Sequence, residues 1–427
     1  MSRENSRMGF CWLSDQEIFD MEQEYAASHY NHLKFCPREW KGVWLYGSNG
    51  EKTLDCLACY SAVNQGHHHP KIVKALIDAL NGNYAGAVSN VVFSGARALF
   101  SKKIAAILPQ LGSRFGDCGN KVLQKNGGVE SFETAVKMCR AYGAMQKGIP
   151  DGLQRIIVFR NNFHGRTYEA LAASTNANYK KFFGVRTDAY INEVEFGSLD
   201  AVERILDPFN TDVCGIIVEP MQGEGGMYPP SPGFLKGLRE IADANDLLLI
   251  FDEIQVGLGR TGKMFAFEHE GVVPDGIILG KALSGGLIPV SAFVCNSALM
   301  DLVFWPGRDG STYGGYSLAC VAGIPALEVF EEEGLVGNAA LMGALLKEKF
   351  EDIASRSKRV KEVRGKGLFI GVEVKDGNAF SYCQQLLKLG LFANDSHGHT
   401  IRISPPLIIT PEHVDYIVER MEKVLVG

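Results

Sequence analysis

A lysine and an aspartate each follow an apolar run, in a pattern that suggests catalysis. Lys281 follows the run 276–279 after one glycine, and Asp252 ends the run 247–252. Both runs are typical of buried strands, and catalytic groups of α/β proteins favour the carboxyl ends of strands. A desolvated lysine can lose its charge and attack a carbonyl group as a free amine. The alternatives are a surface lysine after a strand and a capping aspartate.

This pair of residues meets the chemical needs of pyridoxal 5'-phosphate. The aldehyde of that cofactor forms a Schiff base with a lysine, and its ring nitrogen must stay protonated to draw electrons. A carboxylate beside the nitrogen supplies a charge-assisted hydrogen bond worth about 1.5–3 kcal/mol. If the two strands are neighbours in a parallel sheet, Asp252 and Lys281 lie at the same edge. The sequence therefore predicts a cofactor site at that edge.

Two glycine-rich stretches are candidates for binding the phosphate of such a cofactor. Residues 126–131 lead into a helical pattern, and the first turn of a helix offers free N–H groups to an anion. Residues 310–315 combine a serine and a threonine with three glycines. The alternatives are a turn with a helix cap in the first stretch and a flexible loop in the second.

Three other patterns predict no site. The glycines of residues 257–262 match a dinucleotide fingerprint, but that fingerprint requires strand, glycines and helix in immediate succession. The adjacent histidines 67–69 point in different directions and cannot easily chelate one ion, so a helix entry at Pro70 is expected. Cys56 and Cys59 form a single C-x-x-C without a second pair nearby, which argues against zinc.

Composition places the chain among ordinary globular proteins. The chain has 427 residues, which is long enough for two or three domains, and 46% of them are hydrophobic. Its formal net charge of −6 argues against general nucleic-acid binding. No apolar run approaches a membrane span, and the first ten residues contain no signal-peptide core. Ten scattered cysteines in a chain of this length indicate reduced thiols. We therefore predict a cytoplasmic protein.

Strand-like and helical patterns alternate between residues 120 and 290, which predicts a mostly parallel sheet covered by helices. The predicted strands are 155–159, 215–219, 247–252 and 276–279, and the helical stretches include 233–244. Outside this region we predict a helix near 15–27, a hairpin of 43–46 with 53–56, and strands 368–374 and 401–403.

Two further helices are predicted from their start signals and apolar spacing. The first follows Pro70, with a buried stripe of Ile72, Val73, Leu76 and Leu80. The second closes the chain, with Thr410 as its cap and Pro411 in its first turn.

Five motifs in chain order resemble the class III (omega) aminotransferases, which are pyridoxal-phosphate enzymes of fold type I. The motifs are residues 163–167, 219–226, 252–262, 280–286 and 311–315. The similarity runs from about residue 20 to the C-terminus. It implies an α/β fold with an N-terminal arm and hairpin segment, a large cofactor-binding domain and a smaller α+β C-terminal domain. The corresponding boundaries are 1–60, 61–320 and 321–427.

The resemblance implies a role for each residue around the cofactor. Lys281 would hold the cofactor as a Schiff base and move the proton between the substrate carbon and the cofactor, and Asp252 would pair with the pyridine nitrogen. The other implied contacts are Gln255 at the ring hydroxyl, Phe163 and Ile254 on the two ring faces, the N–H groups of Gly128 and Val129 at the phosphate, and Thr312 at the phosphate of the neighbouring subunit. This last contact implies at least a homodimer with shared active sites.

Within the family, the chain most resembles the ornithine aminotransferases, through residues 60–67, 363–368 and 402–407. Such enzymes move the δ-amino group of L-ornithine to 2-oxoglutarate in a ping-pong order, giving glutamate 5-semialdehyde and glutamate. The implied substrate residues are Arg166 and Tyr30 on the ornithine carboxylate, Arg402 on the glutamate carboxylate, Glu224 as a mask for Arg402, and Tyr60 for selection against 4-aminobutyrate.

Other amine donors and other classes of protein remain open at this point. Residues 89–93 and His164 resemble acetylornithine aminotransferases, and lysine (at its ε-amine) and 4-aminobutyrate are further candidate donors. A racemase or epimerase of the same fold needs no second carboxylate site, so the glutamate–arginine pair argues against it. A non-catalytic scaffold would not need the lysine–aspartate pair. The two arginines and the glutamate could also form unrelated structural ion pairs.

Overall fold

The structure is a computed structural model that describes residues 13–186, 190–206 and 212–426. Its strands fall into three sheets. The strands are β1 (Glu39–Lys41), β2 (Trp44–Tyr46), β3 (Lys52–Asp55), β4 (Asn120–Lys125), β5 (Arg155–Phe159), β6 (Ile191–Val194), β7 (Val213–Val218), β8 (Leu248–Asp252), β9 (Gly276–Leu279), β10 (Ser291–Asn296), β11 (Val360–Lys366), β12 (Phe369–Val374), β13 (Leu391–Phe392), β14 (Asn394–Ser396) and β15 (Thr400–Ile403).

The largest sheet has seven strands in the order β4-β10-β9-β8-β7-β5-β6. The five strands from β9 to β6 pair in parallel, which confirms the predicted mostly parallel sheet. Strand β10 pairs antiparallel with both β9 and β4. The chain passes from β9 to β10 through a short 3-10 turn, Lys281–Ser284. The connection, residues 280–290, contains no crossover helix among its elements, which agrees with an antiparallel β10.

Helices cover both faces of this sheet, and the central strands β7, β8 and β9 are buried along their whole length. Such burial on both faces explains their continuous apolar runs. The α-helices are Asp15–Tyr25, Pro70–Asn81, Gly95–Ala106, Gly128–Met145, Tyr168–Ala173, Ala177–Lys180, Leu199–Ile205, Phe234–Ala244, Ser297–Val303, Ser317–Glu332, Leu335–Arg356, Ala379–Lys388 and Pro411–Leu425. None of these described helices is long and apolar enough to cross a membrane.

The predicted stripe of helix Pro70–Asn81 is partly wrong. Ile72 is fully buried, and Val73 and Leu76 are partly buried, but Leu80 is 56% exposed. The residue that completes the buried face is instead Ala79. The helix lies against Ser317–Glu332, and the small Ala79 allows the close approach that a leucine at this position would prevent.

The second sheet is antiparallel, in the order β11-β12-β15-β14, and it is formed entirely by residues after 359. The third sheet joins the two ends of the chain. The predicted hairpin of β2 with β3 is present, and β13 from the C-terminal part pairs in parallel with β3. The domain boundaries given above stay a prediction.

Candidate active site

Three neighbouring parallel strands bring three ionisable side chains to one edge of the large sheet. Strand β8 ends at Asp252, β7 is followed by Glu219, and β9 is followed one residue later by Lys281. Strands β8 and β9 are parallel neighbours, with Asp252 in register with Ile278, so the condition set by the sequence is met. The side chains of Asp252 and Glu219 are almost completely buried. This edge is therefore a place where charged groups are held out of water.

Lys281 lies at a sharp change in backbone direction. Its φ of 46° is in the left-handed region, and it begins the 3-10 turn that leads to β10. Burial lowers the pKa of the Lys281 ammonium below its ordinary value, although the charge of Asp252 opposes that shift. A lysine with a lowered pKa is more often neutral, and it is therefore a better nucleophile.

The carboxylate of Asp252 is fixed at both of its oxygens. Oδ2 lies 2.7 Å from Nδ1 of His164, and Oδ1 accepts the N–H of Ile254 at 3.1 Å. Because a carboxylate accepts, the imidazole donates from Nδ1. The ring of His164 stacks on Phe132 with centroids 4.6 Å apart and is itself buried. Nε2 of His164 is buried without a hydrogen-bond partner in the described residues.

Glu219 connects two of the loops that carry candidate residues. Its carboxylate accepts the N–H of Phe163 at 3.1 Å and the N–H of Gly223 at 3.2 Å. Burial raises the pKa of Glu219 to about 7, although His164 and these two hydrogen bonds oppose the shift. The sequence places Glu219 in a motif but gives it no role, since hydrogen bonds to the backbone of distant loops have no sequence signature.

The first candidate phosphate site lies at the start of helix Gly128–Met145. The carboxylate of Glu130 accepts the N–H groups of Asn126 and Gly127 at 3.1 and 2.6 Å. The next two N–H groups, of Gly128 and Val129, lie in the first helical turn and have no intrahelical acceptor. Both are therefore positioned to donate to an anion.

The start of that helix packs closely against Ile254. A Cβ on Gly128 would lie 2.8 Å from Cδ1 of Ile254, so only glycine allows this approach. Phe163 is partly buried at the same edge, and Gln255 is almost completely buried beside Gly223.

The second candidate phosphate loop, residues 310–315, lies against the first. Oγ of Ser311 accepts from the Asn126 side chain at 3.1 Å. The side chain of Asn90 donates to the carbonyl groups of Ser311 and Gly314 at 2.9 and 3.1 Å. Thr312 at the tip of this loop is exposed in the single chain.

Arg402, on β15, is a buried arginine with only part of its donor capacity used. Its side chain is 1% exposed, and Nη1 donates to Oε2 of Glu224 at 2.6 Å. Nε and Nη2 are buried without a partner in the described residues. Burial opposes ionisation of Glu224, but the charge and hydrogen bond of Arg402 outweigh it and lower the pKa of Glu224 overall. This site can bind a second carboxylate only if Glu224 moves away.

Arg166 is the opposite case, because it is exposed and has no carboxylate partner among the described residues. Three aromatic rings surround its guanidinium carbon, at 4.3 Å for Tyr179, 5.8 Å for Tyr30 and 5.9 Å for Phe163. Tyr179 also packs edge-on against Phe163. Tyr179 was not predicted from the sequence, since it lies in a short helix without a recognisable motif.

Tyr60 is placed near Arg402 by a left-handed turn. Residues Ala58–Ser61 all have positive φ, from 47° to 73°, which costs about 1–2 kcal/mol for each residue. The ring of Tyr60 lies 5.0 Å from the guanidinium carbon of Arg402, and its hydroxyl accepts from Asn394 at 3.1 Å. Strained backbone of this kind is concentrated at functional sites.

The carboxylate of Asp55 stabilises the start of that turn. It accepts the N–H groups of Leu57 and Ala58, each at 2.8 Å. It also lies 2.8 Å from Nε2 of His67. His67 therefore serves this turn, while His68 contacts a backbone carbonyl and His69 contacts Glu333.

The remaining glycine and metal patterns have structural explanations. The glycines of residues 257–262 surround Arg260, which is fully buried and donates to the carbonyl groups of Leu368 and Pro405. That loop thus joins the large sheet to the C-terminal part of the chain. In the described ranges no cluster of histidine, cysteine, aspartate or glutamate could hold a metal ion. The nine described cysteines are all free thiols.

The residues at the strand edge fit pyridoxal phosphate. Lys281 offers an amine for its aldehyde, Asp252 a buried carboxylate for its ring nitrogen, and the start of helix Gly128–Met145 two N–H groups for its phosphate. A Cβ at position 128 would collide with Cδ1 of Ile254, so the glycine allows the helix start to approach this residue.

Comparisons with known proteins agree with this fit. The family model for class III aminotransferases matches residues 25–425. The chain is 40% identical to ornithine aminotransferase 2 of Staphylococcus aureus over 409 residues, 96% of this chain and 98% of the relative. The structure of an ornithine aminotransferase from Toxoplasma gondii is similar, with a TM-score of 0.90, 31% identity and coverage of 97% and 96%. That of an acetylornithine aminotransferase from Elizabethkingia anophelis gives a TM-score of 0.85, 34% identity and coverage of 97% and 99%.

The family match spans nearly the whole chain, and the fold is that of the solved aminotransferases. The lysine and the aspartate follow neighbouring strands, and the helix start packs against Ile254, two residues after that aspartate. The chain therefore belongs to the class III aminotransferases and is a pyridoxal-phosphate-dependent transaminase.

Proposed function

We propose that the protein transfers the δ-amino group of L-ornithine to 2-oxoglutarate, producing glutamate 5-semialdehyde and glutamate. The observation that carries this proposal is the pair of unlike arginines. Arg166 is open to an incoming carboxylate, whereas Arg402 is masked by Glu224 and keeps two buried donors unused. A site with one open and one masked carboxylate position suits two substrates that differ in their number of carboxylates.

L-Ornithine has one carboxylate, and Arg166 is the arginine that can take it without any rearrangement. An arginine can bind a carboxylate through two parallel hydrogen bonds. Tyr30 and Tyr179 lie beside the guanidinium group and shape its approach. With the α-carboxylate held there, the side-chain amine at the other end of the substrate is directed toward Lys281.

2-Oxoglutarate and glutamate have two carboxylates and need both arginines. The distal carboxylate takes the place of the ornithine carboxylate on Arg166, and the α-carboxylate displaces Glu224 from Arg402. The unpaired Nε and Nη2 groups of Arg402 supply the extra hydrogen bonds. Because the two substrates use one site in turn, the two half-reactions follow a ping-pong order. Tyr60 lies against Arg402, where it restricts which amines enter.

The remaining residues act on the cofactor. When bound, pyridoxal phosphate supplies an aldehyde that accepts the amino group and a ring that draws electrons from the substrate carbon. Lys281 would bind the aldehyde and carry the proton to and from that carbon. Asp252, oriented by His164, would keep the ring nitrogen protonated. Phe163 and Ile254 would confine the ring, Gln255 would contact its hydroxyl group, and Gly128 and Val129 would donate to the phosphate.

We propose a homodimer as the active form. Thr312 is exposed on a loop whose backbone is held by Asn90. Val91, Phe93 and Tyr313, near it in the chain or against the same loop, are large apolar or aromatic residues exposed on the surface. An apolar patch of this kind favours association, and a second copy would bring Thr312 to the partner's phosphate. Sedimentation of the purified protein tests the dimer, and a cytoplasmic location stays a prediction.

N-acetylornithine is the second candidate donor. It has the same carboxylate and the same reacting amine as ornithine, so Arg166 can bind it in the same way. The exposure of Arg166, together with that of Tyr30 at 57%, leaves space for the acetyl group.

A single-turnover experiment tests the choice of donor. The loaded enzyme is mixed with L-ornithine, N-acetylornithine, L-lysine or 4-aminobutyrate, and the cofactor absorbance is followed. The proposal expects ornithine to react fastest and 2-oxoglutarate to restore the original spectrum. Faster reaction of another amine would transfer the proposal to that donor, and failure of 2-oxoglutarate to restore the spectrum would contradict a transaminase that uses this acceptor.

A further inference from the structure

The loop that carries Glu224 is closed at its base and crosses onto the small antiparallel sheet. Gln222 and Tyr228 exchange two backbone hydrogen bonds, each 3.0 Å long. Between these two residues the chain turns over the sheet. The side chain of Glu224 reaches Arg402 from this turn.

Three residues that are paired across β11, β12 and β15 form one row beneath the loop. Arg364 of β11 is in register with Gly371 of β12, and Gly371 is in register with Arg402 of β15. Paired residues in neighbouring strands place their side chains on the same face of a sheet. A Cβ on Gly371 would lie 3.0 Å from the carbonyl oxygen of Gly226. The loop therefore rests on Gly371, with one arginine on either side.

The two arginines hold the loop in different ways. Arg364 donates from Nε to the carbonyl of Gly226 at 2.7 Å, which is a backbone contact. Arg402 holds only the side chain of Glu224. A substrate carboxylate can replace the second contact, but it has no route to the first.

Arg364 is also fully engaged with its own surroundings. It is 4% exposed, and it donates to Glu373 at 2.5 Å and to the hydroxyl of Thr400 at 2.8 Å. The ring of Tyr228 lies 3.8 Å from its guanidinium carbon. These contacts fix the arginine in one orientation, whereas Arg402 keeps two donors unused.

We propose that Arg364 is a positioning residue that holds the loop backbone in place while Glu224 leaves and rejoins Arg402. Exchange at Arg402 is then a rotation of one side chain above a fixed backbone, and Arg364 sets how strongly Glu224 competes with an incoming α-carboxylate. This inference rests on the proposed function in one respect, namely that a substrate carboxylate displaces Glu224.

Binding of glutarate to the loaded enzyme tests the proposal without turnover. Glutarate has two carboxylates and no amine, so its dissociation constant, measured by calorimetry, reports how easily Glu224 is displaced. Arg364→Met should bind glutarate about 5- to 10-fold tighter than the unmodified enzyme, because the loop keeps the hydrogen bond from Ser396 to the Glu224 carbonyl but loses its anchor at Gly226, and so holds Glu224 on Arg402 less firmly. The matched control is Lys361→Met on the same strand, which removes an exposed lysine from the same Glu373 and should leave the affinity unchanged.

A kinetic readout separates positioning from general damage. In Arg364→Met the ratio of the glutamate to the ornithine half-reaction, each as kcat/KM, should rise by about tenfold, and Arg364→Lys should show only part of that rise. Equal decline of both half-reactions with unchanged glutarate affinity would overturn the proposal.

If Arg364→Met does not fold, Thr400→Val removes one hydrogen bond of Arg364 and should shift both readouts about 2-fold in the same direction, whereas no shift would overturn the proposal. If the unmodified enzyme fails to use ornithine, the donor assignment fails, and the glutarate measurement still tests the loop.

Discussion

The edge of the large sheet and the face of the small sheet use charged groups in opposite ways. At the large sheet, both oxygens of Asp252 and both oxygens of Glu219 have fixed partners within the chain. At the small sheet, Arg402 is buried with two donors that find no partner among the described residues, and the carboxylate that it does contact lies on a loop. The difference separates two tasks, because the chemistry common to all class III aminotransferases needs a rigid site and the choice between two substrates needs an adjustable one.

Removing Lys281 should have the largest effect on the reaction rates, and it should slow the half-reactions of both substrates. Lys281→Ala removes the amine that binds the cofactor and carries the proton, so both half-reactions should fall by about 10⁴-fold or more. Stopped-flow absorbance measures both. Lys263→Ala, in a loop outside the site, is the control. Normal rates in either half-reaction of Lys281→Ala would show that the lysine is wrongly assigned.

Removing the ion pair at the small sheet should affect only one substrate. In Glu224→Gln/Arg402→Gln the pair is removed together, so no buried charge is left alone. The glutamate half-reaction should fall by about 100-fold or more in kcat/KM, because a bound carboxylate loses its arginine. The ornithine half-reaction should stay within about 10-fold. A similar decline for both substrates would mean that the two carboxylate positions are not separate.

Neutralising Glu224 alone should have a smaller effect, and it should strengthen glutamate binding rather than weaken it. In Glu224→Gln the competing charge is lost, so glutamate should bind to Arg402 about 10-fold more tightly. Ornithine should then also react in part through its α-amine, since its carboxylate can reach Arg402. Half-reaction kinetics with both substrates give the comparison, and unchanged glutamate binding would argue that Glu224 does not compete with it.

The two regions should also differ in how pH changes stability, which is the smallest expected effect. Glu253, beside the cofactor edge, is buried, and that burial raises its pKa to about 8 against two backbone hydrogen bonds. Because the pKa of Glu253 is higher in the folded than in the unfolded state, this residue contributes stability that is fully present at a pH below the ordinary pKa of glutamate. The contribution is lost as the pH rises toward 8. Glu224 has a lowered pKa, so its contribution is present above the ordinary pKa and is lost as the pH falls.

Thermal unfolding between pH 4 and pH 9 measures both slopes. Glu253→Gln should reduce the loss of Tm between pH 5 and pH 8 by about 2–4 °C. Glu224→Gln should instead flatten the acid side of the profile. A Glu253→Gln profile parallel to that of the unmodified protein would contradict a raised pKa at this carboxyl group.

The sequence predicted the rigid region better than the adjustable one, and the reason is physical. Strands β8 and β9 are continuous apolar runs, so their ends locate Asp252 and Lys281 directly. Strand β4 was missed because its sequence is polar at both ends, as suits a strand at the sheet edge. The left-handed turn Ala58–Ser61 could not be foreseen either, since its φ values depend on Asp55 and on tertiary contacts rather than on glycine.

At the adjustable region around Arg402, the sequence predicted which residues form the site but not how they are arranged in space. The resemblance named Arg166, Glu224 and Arg402, but only the structure places Arg364 and Arg402 in one row of the small sheet. Tyr179 and Asn394 carry no motif and were found only through their distances to Arg166 and Tyr60. Long-range contacts of this kind depend on strand register, which periodicity alone does not determine.

The position of the amino group that is removed shows whether ornithine binds through Arg166 while Glu224 masks Arg402. A single turnover of the loaded enzyme with L-ornithine, followed by nuclear magnetic resonance of the product, distinguishes the two ends of the substrate. We expect glutamate 5-semialdehyde in its cyclised form, because the carboxylate on Arg166 directs the δ-amine to Lys281. Formation of 5-amino-2-oxopentanoate as the main product would place the carboxylate on Arg402 and contradict this binding mode.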